Sequence, residues 1–134
     1  MRILIAEDDF ASRKFLFKFL LQYGECDITI DGIEAVEAFL LALDEGKPYD
    51  LVCLDIMMPK LDGVKVLKAI RDIEKQRNTE DLGRVKIIMT TALNDAGTVF
   101  GSFDTGCEAF AAKPINTVKL VEVMTKLRLI SEHD

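Results

Sequence analysis

The chain of 134 residues is long enough to bury one hydrophobic core without disulfides or a structural metal, so we expect a single domain over residues 1–134. With 49% hydrophobic and 30% charged residues, the composition is that of a folded globular protein and excludes a disordered chain. The net charge of −6 argues against nucleic acid as a direct partner, because binding to phosphates needs a basic surface.

The sequence also indicates where the protein resides. Arg2 is followed by only four apolar residues before Glu7, which is too short for a signal-peptide core or a membrane span. Cys26, Cys53 and Cys107 are odd in number and have no CxxC spacing, so they are expected to be reduced packing residues. We therefore expect a cytoplasmic protein with no membrane partner.

Short apolar runs alternate along the chain with longer segments of helical periodicity. Several runs are apolar at consecutive positions, which is typical of strands buried on both faces of a parallel sheet. The predicted strands are residues 3–6, 27–30, 51–54, 85–89 and 109–112. The predicted helices are residues 12–23, 32–43, 64–76, 95–103 and 118–129. Five alternations of strand and helix predict a doubly wound α/β sheet.

Three of the predicted helices carry further signals. In the first, apolar residues recur every three or four positions, and Phe17 falls off this stripe, so it is expected to be exposed for docking. In the fourth, Gly97 and Gly101 each cost roughly 1 kcal/mol relative to alanine, so this helix is expected to be short or mobile. Asn116 or Thr117 can cap the start of the last helix.

Polar side chains follow four of the five predicted strands. If the strands are parallel, their carboxyl ends meet at one edge of the sheet, which is where ligands bind in this class of fold. An acidic run before a helix can equally serve as a helix cap, and a threonine pair can be purely structural. Taken together, however, these residues predict one site: they are Glu7, Asp8, Asp9, Asp55, Thr90, Thr91 and Lys113.

The chemistry of this predicted site follows from its residue types. Clustered carboxylates raise one another's pKa unless a cation neutralises them, and oxygen ligands without His or Cys favour Mg²⁺. Asp55 can then act as a nucleophile on phosphorus and form an acyl phosphate. Lys113 supplies a positive charge to the transferred group, and the Thr91 hydroxyl can bind one of its oxygens.

Four segments of the chain closely resemble the receiver domain of bacterial two-component response regulators, and the single-domain chemotaxis regulators in particular. In chain order they are ILIAEDD, LDIMMPKLDG, IIMTTA and AAKP, and the resemblance spans essentially the whole chain. It implies a flavodoxin-like, five-stranded parallel sheet in the order 2-1-3-4-5 with five helices. It also implies a phosphorylation-dependent signalling switch rather than an enzyme, although such domains promote their own phosphorylation and dephosphorylation.

The resemblance assigns roles to individual residues. Asp55 corresponds to the phosphoacceptor, and Glu7 and Asp8 to the acidic pair that binds Mg²⁺ together with the backbone carbonyl of Met57. Asp9 then lies outside the metal site, although an alignment shifted by one residue would include it. Lys113 matches the lysine before proline, where the family often has a cis peptide bond.

The resemblance also implies a switching mechanism. Thr91 corresponds to the switch hydroxyl, while Thr90 is expected to face the other way. Phe110 matches an aromatic residue that swings inward when the threonine moves, the alternative being a plain core phenylalanine. Phosphorylation would draw Thr91 and Lys113 inward and change the surface of the fourth predicted helix and the fifth strand. A downstream protein would bind that surface.

Two further positions tune the lifetime of the phosphorylated state in this family. They correspond to Met57 and Leu93, both apolar here and unable to orient an attacking water. We therefore expect a longer-lived acyl phosphate than in members with acidic or amide residues at these positions.

Other readings of the same sequence remain open to test. A nucleotide-binding protein of the same fold needs a phosphate-binding loop after the first strand, where this chain has acids. A phosphatase with a DxD nucleophile needs an acid where Met57 stands. The remaining alternative is a receiver-like binding module that is not phosphorylated.

The expected partners are a sensor histidine kinase or a phosphotransfer protein, and the domain is expected to be a monomer or weak homodimer.

Overall fold

The computed structural model describes residues 1–77, 83–92 and 106–131. Its strands are β1 (Arg2–Ala6), β2 (Glu25–Thr29), β3 (Leu51–Asp55), β4 (Lys86–Thr91) and β5 (Ala109–Ala112). Four helices lie within the described ranges: α1 (Phe10–Leu20), α2 (Gly32–Asp44), α3 (Gly63–Gln76) and α4 (Thr117–Lys126). The five predicted strands are confirmed, but five helices are not matched, because the helix predicted over residues 95–103 lies outside the described residues.

All five strands are parallel and follow the order β2-β1-β3-β4-β5, as predicted. From β1 the chain continues to β2 on one side, whereas β3 pairs with β1 on the other side. The strand order therefore reverses between β1 and β3, which is the position where open α/β sheets bind ligands. Glu7 and Asp55 lie at the carboxyl ends of these two strands.

Two hydrophobic clusters cover the two faces of the sheet. One joins Leu4 of β1 to Phe39 of α2 and Leu67 of α3, and the other joins Ile3 of β1 to Leu16 of α1 and Leu120 of α4. Alternate residues of a strand point to opposite faces, so a strand covered on both sides needs apolar residues at consecutive positions. This arrangement explains the unbroken apolar runs in the sequence.

Each of the four described helices begins at a residue whose side chain accepts a backbone hydrogen bond. Such caps stabilise a helix by about 1 kcal/mol, because the first N–H groups have no partner within the helix. The caps are Asp9, Asp31, Asp62 and Asn116. Asn116, rather than Thr117, therefore caps α4.

The aromatic residues of α1 are placed differently from the prediction. Phe17 is partly buried against the cluster that contains Leu16 and Leu20, so it is not the exposed aromatic residue. Phe10 and Phe15 are exposed instead, at 67% and 44%. The buried face of α1 is centred on Leu16 and Leu20, and Phe17 lies one turn before Leu20 at its edge. No helix in the described ranges is long and apolar enough to cross a bilayer.

Candidate functional site

Three carboxylates from two strand ends form a cluster at the edge of the sheet. Glu7 follows β1, where its N–H donates to the carbonyl of Thr29 at 3.1 Å, and Asp55 is the last residue of β3. One oxygen each from Glu7, Asp8 and Asp55 lies within 4.8 Å of the others. Glu7 and Asp55 are 0% and 4% exposed, whereas Asp8 is exposed. The cluster is therefore open to solvent on the side of Asp8.

Lys113 brings a positive charge to this cluster from the other end of the chain. Its N–H donates to the carbonyl of Thr91 at 2.8 Å, which extends the pairing of β4 with β5. Its Nζ lies 2.7 Å from Glu7 Oε1 and 3.2 Å from Asp55 Oδ1. The Lys113–Pro114 peptide bond is cis, as expected from the family resemblance.

Burial and like charge make the ionised form of Asp55 unfavourable. Burial raises the pKa of Asp55 to about 8, and the neighbouring carboxyl groups of Glu7 and Asp8 act in the same direction. Burial by itself lowers the pKa of Lys113, but its contacts with Glu7 and Asp55 outweigh this effect and raise that pKa. One ammonium group therefore faces three carboxyl groups, and the site carries an excess of negative charge.

The residues present fit a hard divalent cation. Glu7 Oε1 is buried, and its partner among the described residues is the Lys113 ammonium at 2.7 Å. The cluster offers only carboxylate oxygens, which are the ligands that Mg²⁺ prefers in proteins. One ammonium group does not balance the three clustered carboxyl groups, and a bound cation would offset the remaining negative charge.

Asp9 has a different role from its two acidic neighbours. Its carboxylate accepts a hydrogen bond from the N–H of Ser12 at 2.9 Å and caps α1, and this contact lowers its pKa. Its own N–H donates to Glu7 Oε2 at 3.2 Å. Asp9 is absent from the group of carboxylates that the described residues bring together.

Arg13 also contacts this site, although the sequence pattern does not predict it. Its guanidinium donates to the carbonyl oxygens of Glu7 and Asp8, both at 3.1 Å, so it holds the backbone that presents the acidic pair. A basic residue in the first turns of a surface helix is common, so no sequence pattern distinguishes this one. The contact depends on how α1 packs beside the end of β1.

The predicted switch residues lie at or near the same edge. Thr91 is the last residue of β4, is 7% exposed, and its hydroxyl donates to the carbonyl of Ala92 at 3.0 Å. Thr90 is the register partner of Asp55. Phe110 pairs in register with Met89 and is partly buried against the cluster of α2 and α3. Leu93 lies outside the described residues.

The loop of residues 56–62, which we call the β3–α3 loop, follows Asp55. Met57 donates its N–H to Asp55 Oδ1 at 3.3 Å, and its side chain is 63% exposed. Gly63 closes the loop by donating its N–H to the carbonyl of Ile56 at 2.7 Å. A Cβ on Gly63 would lie 2.3 Å from the carbonyl oxygen of Asp55, so only glycine fits here.

Residues 3–125 match the family model of the response regulator receiver domain. The chain is 31% identical over 128 residues to the chemotaxis protein CheY of Bacillus subtilis, covering 93% of this chain and 95% of that protein. It is 33% identical over 126 residues to the hybrid signal transduction histidine kinase L of Dictyostelium discoideum. The alignment covers 93% of this chain but only 7% of that kinase, so the chain spans a small part of such relatives.

Two solved structures are also similar to this fold. One is a co-crystal structure of the Saccharomyces cerevisiae histidine phosphotransfer signaling protein Ypd1 and the receiver domain of Ssk1, with a TM-score of 0.81 and 27% identity over 100% of this chain and 94% of the other. The second is the receiver domain of a Pseudomonas aeruginosa sensor histidine kinase with a magnesium ion in its active site cleft. Its TM-score is 0.75, at 27% identity over 93% of this chain and 94% of the other.

Proposed function

The chain belongs to the family of response regulator receiver domains, and on that basis we propose that Asp55 accepts a phosphoryl group from a histidine kinase or a histidine phosphotransfer protein. Receiver domains are signalling switches rather than classical enzymes. The observation that carries the proposal is the position of Asp55, whose buried carboxylate lies 3.2 Å from the Lys113 ammonium and beside the Glu7 and Asp8 carboxylates.

The reaction would form one bond and break one bond. A carboxylate oxygen of Asp55 attacks the phosphorus, the bond from phosphorus to the donor nitrogen or oxygen breaks, and the leaving group takes up a proton. Lys113 holds a positive charge against both the attacking carboxylate and the transferred group. A bound Mg²⁺ would be held by Glu7, Asp8, Asp55 and the carbonyl of Met57, and would neutralise the carboxylates and the phosphoryl oxygens.

We further propose that phosphorylation switches a protein-binding surface. Thr91 and Lys113, at the ends of β4 and β5, would turn toward the phosphoryl group, and Phe110 would follow. A groove of about 290 Å³ runs between β5 and α4 and is lined in part by Phe110, Pro114 and Leu120. This groove supports a downstream protein contact on the surface of β5.

The contact with the phosphoryl donor is proposed on a different surface. Phe10 and Phe15 are exposed on α1, and a shallow cavity of about 230 Å³ beside them is lined by Phe15, Lys113 and Pro114. Exposed aromatic residues next to a reactive centre suit a protein partner that must reach Asp55. The similarity to a receiver that was crystallised with a phosphotransfer protein supports this assignment.

We also propose that the protein resides in the cytoplasm. Cys26, Cys53 and Cys107 are free thiols, and burial raises the pKa of Cys53 to about 12 and that of Cys107 to about 11, so both are poor nucleophiles. Such thiols persist in a reducing compartment, which supports a cytoplasmic location. We place the domain there as a monomer or weak homodimer.

Phosphorylation by a small-molecule donor tests the proposed function. The protein is incubated with acetyl phosphate and Mg²⁺, and intact mass spectrometry measures the added phosphoryl group. We expect Asp55→Asn to abolish the label and Asp62→Asn to retain it, because asparagine keeps the cap of α3. An unlabelled wild-type protein, or a label that survives in Asp55→Asn, would contradict the proposal and favour a binding module that is not phosphorylated.

A further inference from the structure

The N-terminus of α2 touches the β3–α3 loop closely. Gly32 donates its N–H to the carbonyl of Pro59 at 3.4 Å. A Cβ on Gly32 would lie 1.8 Å from the carbonyl oxygen of Leu61 and 2.6 Å from its Cβ, far inside van der Waals contact. The backbone of Gly32 does not need the left-handed conformation, so space alone excludes a side chain here. The β3–α3 loop therefore packs directly against the backbone at the start of α2.

The end of α2 is rigid on its own side of this contact. Asp31 is 4% exposed and caps the helix by accepting the N–H of Glu34 at 2.9 Å, while the Glu34 side chain accepts the N–H of Ile30, the residue before the cap, at 3.2 Å. Two hydrogen bonds at the start of a helix stabilise its first turn. The loop therefore contacts a helix start that its own hydrogen bonds stabilise.

An ion pair adds to the contact but does not dominate it. Lys60 Nζ lies 3.4 Å from Asp31 Oδ2, and Lys60 has a left-handed backbone with φ of 68°. The Lys60 side chain is 64% exposed, so solvent screens the pair and its contribution is small. The close fit between Gly32 and Leu61 is the feature that determines where this part of the loop lies.

The other end of the loop is also anchored. Ile56 donates its N–H to the carbonyl of Thr90 at 3.1 Å and accepts the N–H of Gly63 at 2.7 Å. Met57 follows Ile56 directly, and Pro59 and Leu61 rest on Gly32. Met57 therefore lies in a loop that is anchored to the sheet at Ile56 and contacts α2 through Pro59 and Leu61.

We infer that Gly32 is a positioning residue for the phosphorylation site, because it lets the β3–α3 loop, which carries the Met57 carbonyl, pack against the start of α2. The inference rests on the proposed function, in which that carbonyl is a Mg²⁺ ligand. Loss of a group that orients a metal ligand typically lowers metal affinity by roughly 10- to 100-fold. A methyl group at position 32 is expected to act through the loop in this way.

The test compares two Gly→Ala variants with the same kind of clash at opposite ends of the sheet. In Gly24→Ala the new Cβ would lie 2.1 Å from the carbonyl oxygen of Met1, before β2 and far from the carboxylate cluster. Mg²⁺ affinity is measured by following amide NMR shifts during titration, and stability by urea denaturation. We expect both variants to lose stability, but only Gly32→Ala to bind Mg²⁺ about 10-fold more weakly. Equal Mg²⁺ affinities in the two variants would overturn the inference.

A second pair of variants decides the question if Gly32→Ala is too unstable to titrate. Asp31→Ala and Asp31→Asn remove the same charge, but only asparagine keeps the helix cap. We expect the alanine variant to bind Mg²⁺ more weakly than the asparagine variant, and equal affinities would contradict the role of α2. Both titrations are independent of phosphorylation. A wild-type protein that binds Mg²⁺ but is not labelled by acetyl phosphate would therefore overturn the proposed function alone.

Discussion

At the scale of single residues, Asp55 combines deep burial with neighbouring charges of both signs. Burial and the carboxyl groups of Glu7 and Asp8 oppose its ionisation, while Lys113 favours it. A carboxylate must be ionised to attack phosphorus, so the proposed reaction would depend on positive charge beside Asp55. In the proposed reaction, the positive charge of Lys113 would favour the ionised form of Asp55 that burial disfavours.

The pH dependence of stability measures how strongly the folded state opposes the ionisation of Asp55. The pKa of Asp55 is raised from 3.8 to about 8 in the folded state. Between these two pH values Asp55 keeps its proton in the folded protein but has lost it in the unfolded chain. The protonated carboxyl of Asp55 therefore makes its full contribution to the free energy of unfolding below pH 3.8, and this contribution is lost as the pH rises to about 8. Without Mg²⁺, we expect Asp55→Asn to remove this slope and to be more stable than wild type at pH 8 by roughly 1–2 kcal/mol.

Urea denaturation at pH 5 and pH 8 in a chelating buffer measures this effect. Other groups titrate in both proteins, so the relevant quantity is the difference between variant and wild type at each pH. Glu37→Gln, which removes an exposed carboxylate from α2, serves as the control and is expected to follow the wild type. Parallel profiles for Asp55→Asn and wild type would show that Asp55 titrates normally.

Met57 is the second residue whose chemistry predicts a measurable effect. Its side chain is exposed beside Asp55 and cannot orient a water molecule for attack on the acyl phosphate. We expect Met57→Asn to shorten the lifetime of the phosphorylated protein several-fold, whereas Met57→Leu should preserve it. Loss of the phosphoryl mass after removal of the donor gives the rate. An asparagine variant that loses phosphate no faster would refute the role of Met57, independently of Leu93.

At the scale of elements, a buried ionic network joins α3 to the starts of β4 and β5. Arg71 of α3 is 11% exposed and contacts Glu74 at 2.7 Å and Glu108 at 2.8 Å. Glu74 accepts the N–H of Val85, and Glu108 accepts the N–H of Ile87. The network lies at the end of the sheet opposite Asp55, so its contribution to stability can be separated from the chemistry.

Removing the centre of this network should be costly. Arg71→Met leaves the buried carboxylates of Glu74 and Glu108 without their main counter-ion, and breaking a buried ion pair in this way costs about 3–5 kcal/mol. The matched control is Arg77→Met, since Arg77 pairs with Asp44 at 2.8 Å but both side chains are about half exposed. Its loss should cost under about 1 kcal/mol.

Urea denaturation of the two arginine variants gives this comparison directly. Mg²⁺ affinity should remain that of the wild type in both, because the network lies far along the strands from the carboxylate cluster. Similar costs for Arg71→Met and Arg77→Met would mean that the buried network contributes no more than a surface pair.

At the scale of the whole molecule, the carboxylate site exists only in the folded chain. The parallel sheet brings residues 7, 8, 55 and 113 together, although more than one hundred positions separate the first from the last. A ligand that binds this arrangement, but not the unfolded chain, must stabilise the fold. Binding of a cation and global stability are therefore coupled.

Mg²⁺ is accordingly expected to raise the melting temperature. At a concentration ten times the dissociation constant, binding adds about 1.4 kcal/mol of stability, or roughly 4 °C for a domain of this size. Thermal melts in MgCl₂ are compared with melts in NaCl of equal ionic strength, which removes general screening. Asp55→Asn should lose most of the shift and Glu37→Gln should keep it. Equal shifts in the two variants would place the ion elsewhere.

Much of the fold could be predicted because the signals are local. Consecutive apolar residues follow from strands buried on both faces, and helical periodicity follows from one covered face, so the five strands and the helices of the described residues were predicted within a few positions. The acids, threonines and lysine at the strand ends could be assigned to one site because parallel strands share an edge. Residue type alone pointed to Mg²⁺ and to Asp55 as nucleophile.

Other features depend on packing between distant segments, and no periodic pattern in the sequence predicts such contacts. Asp8 and Asp9 look alike in the sequence, and only the start of α1 makes Asp9 a cap while Asp8 joins the cluster. The contacts of Arg13 with the acidic pair and of Gly32 with Leu61 arise from the way helices pack against loops. By itself the sequence determined the elements and the chemistry of the site, because these follow from local pattern and residue type. Only the tertiary structure decided which neighbours hold the site in place, because those contacts form between segments far apart in the chain.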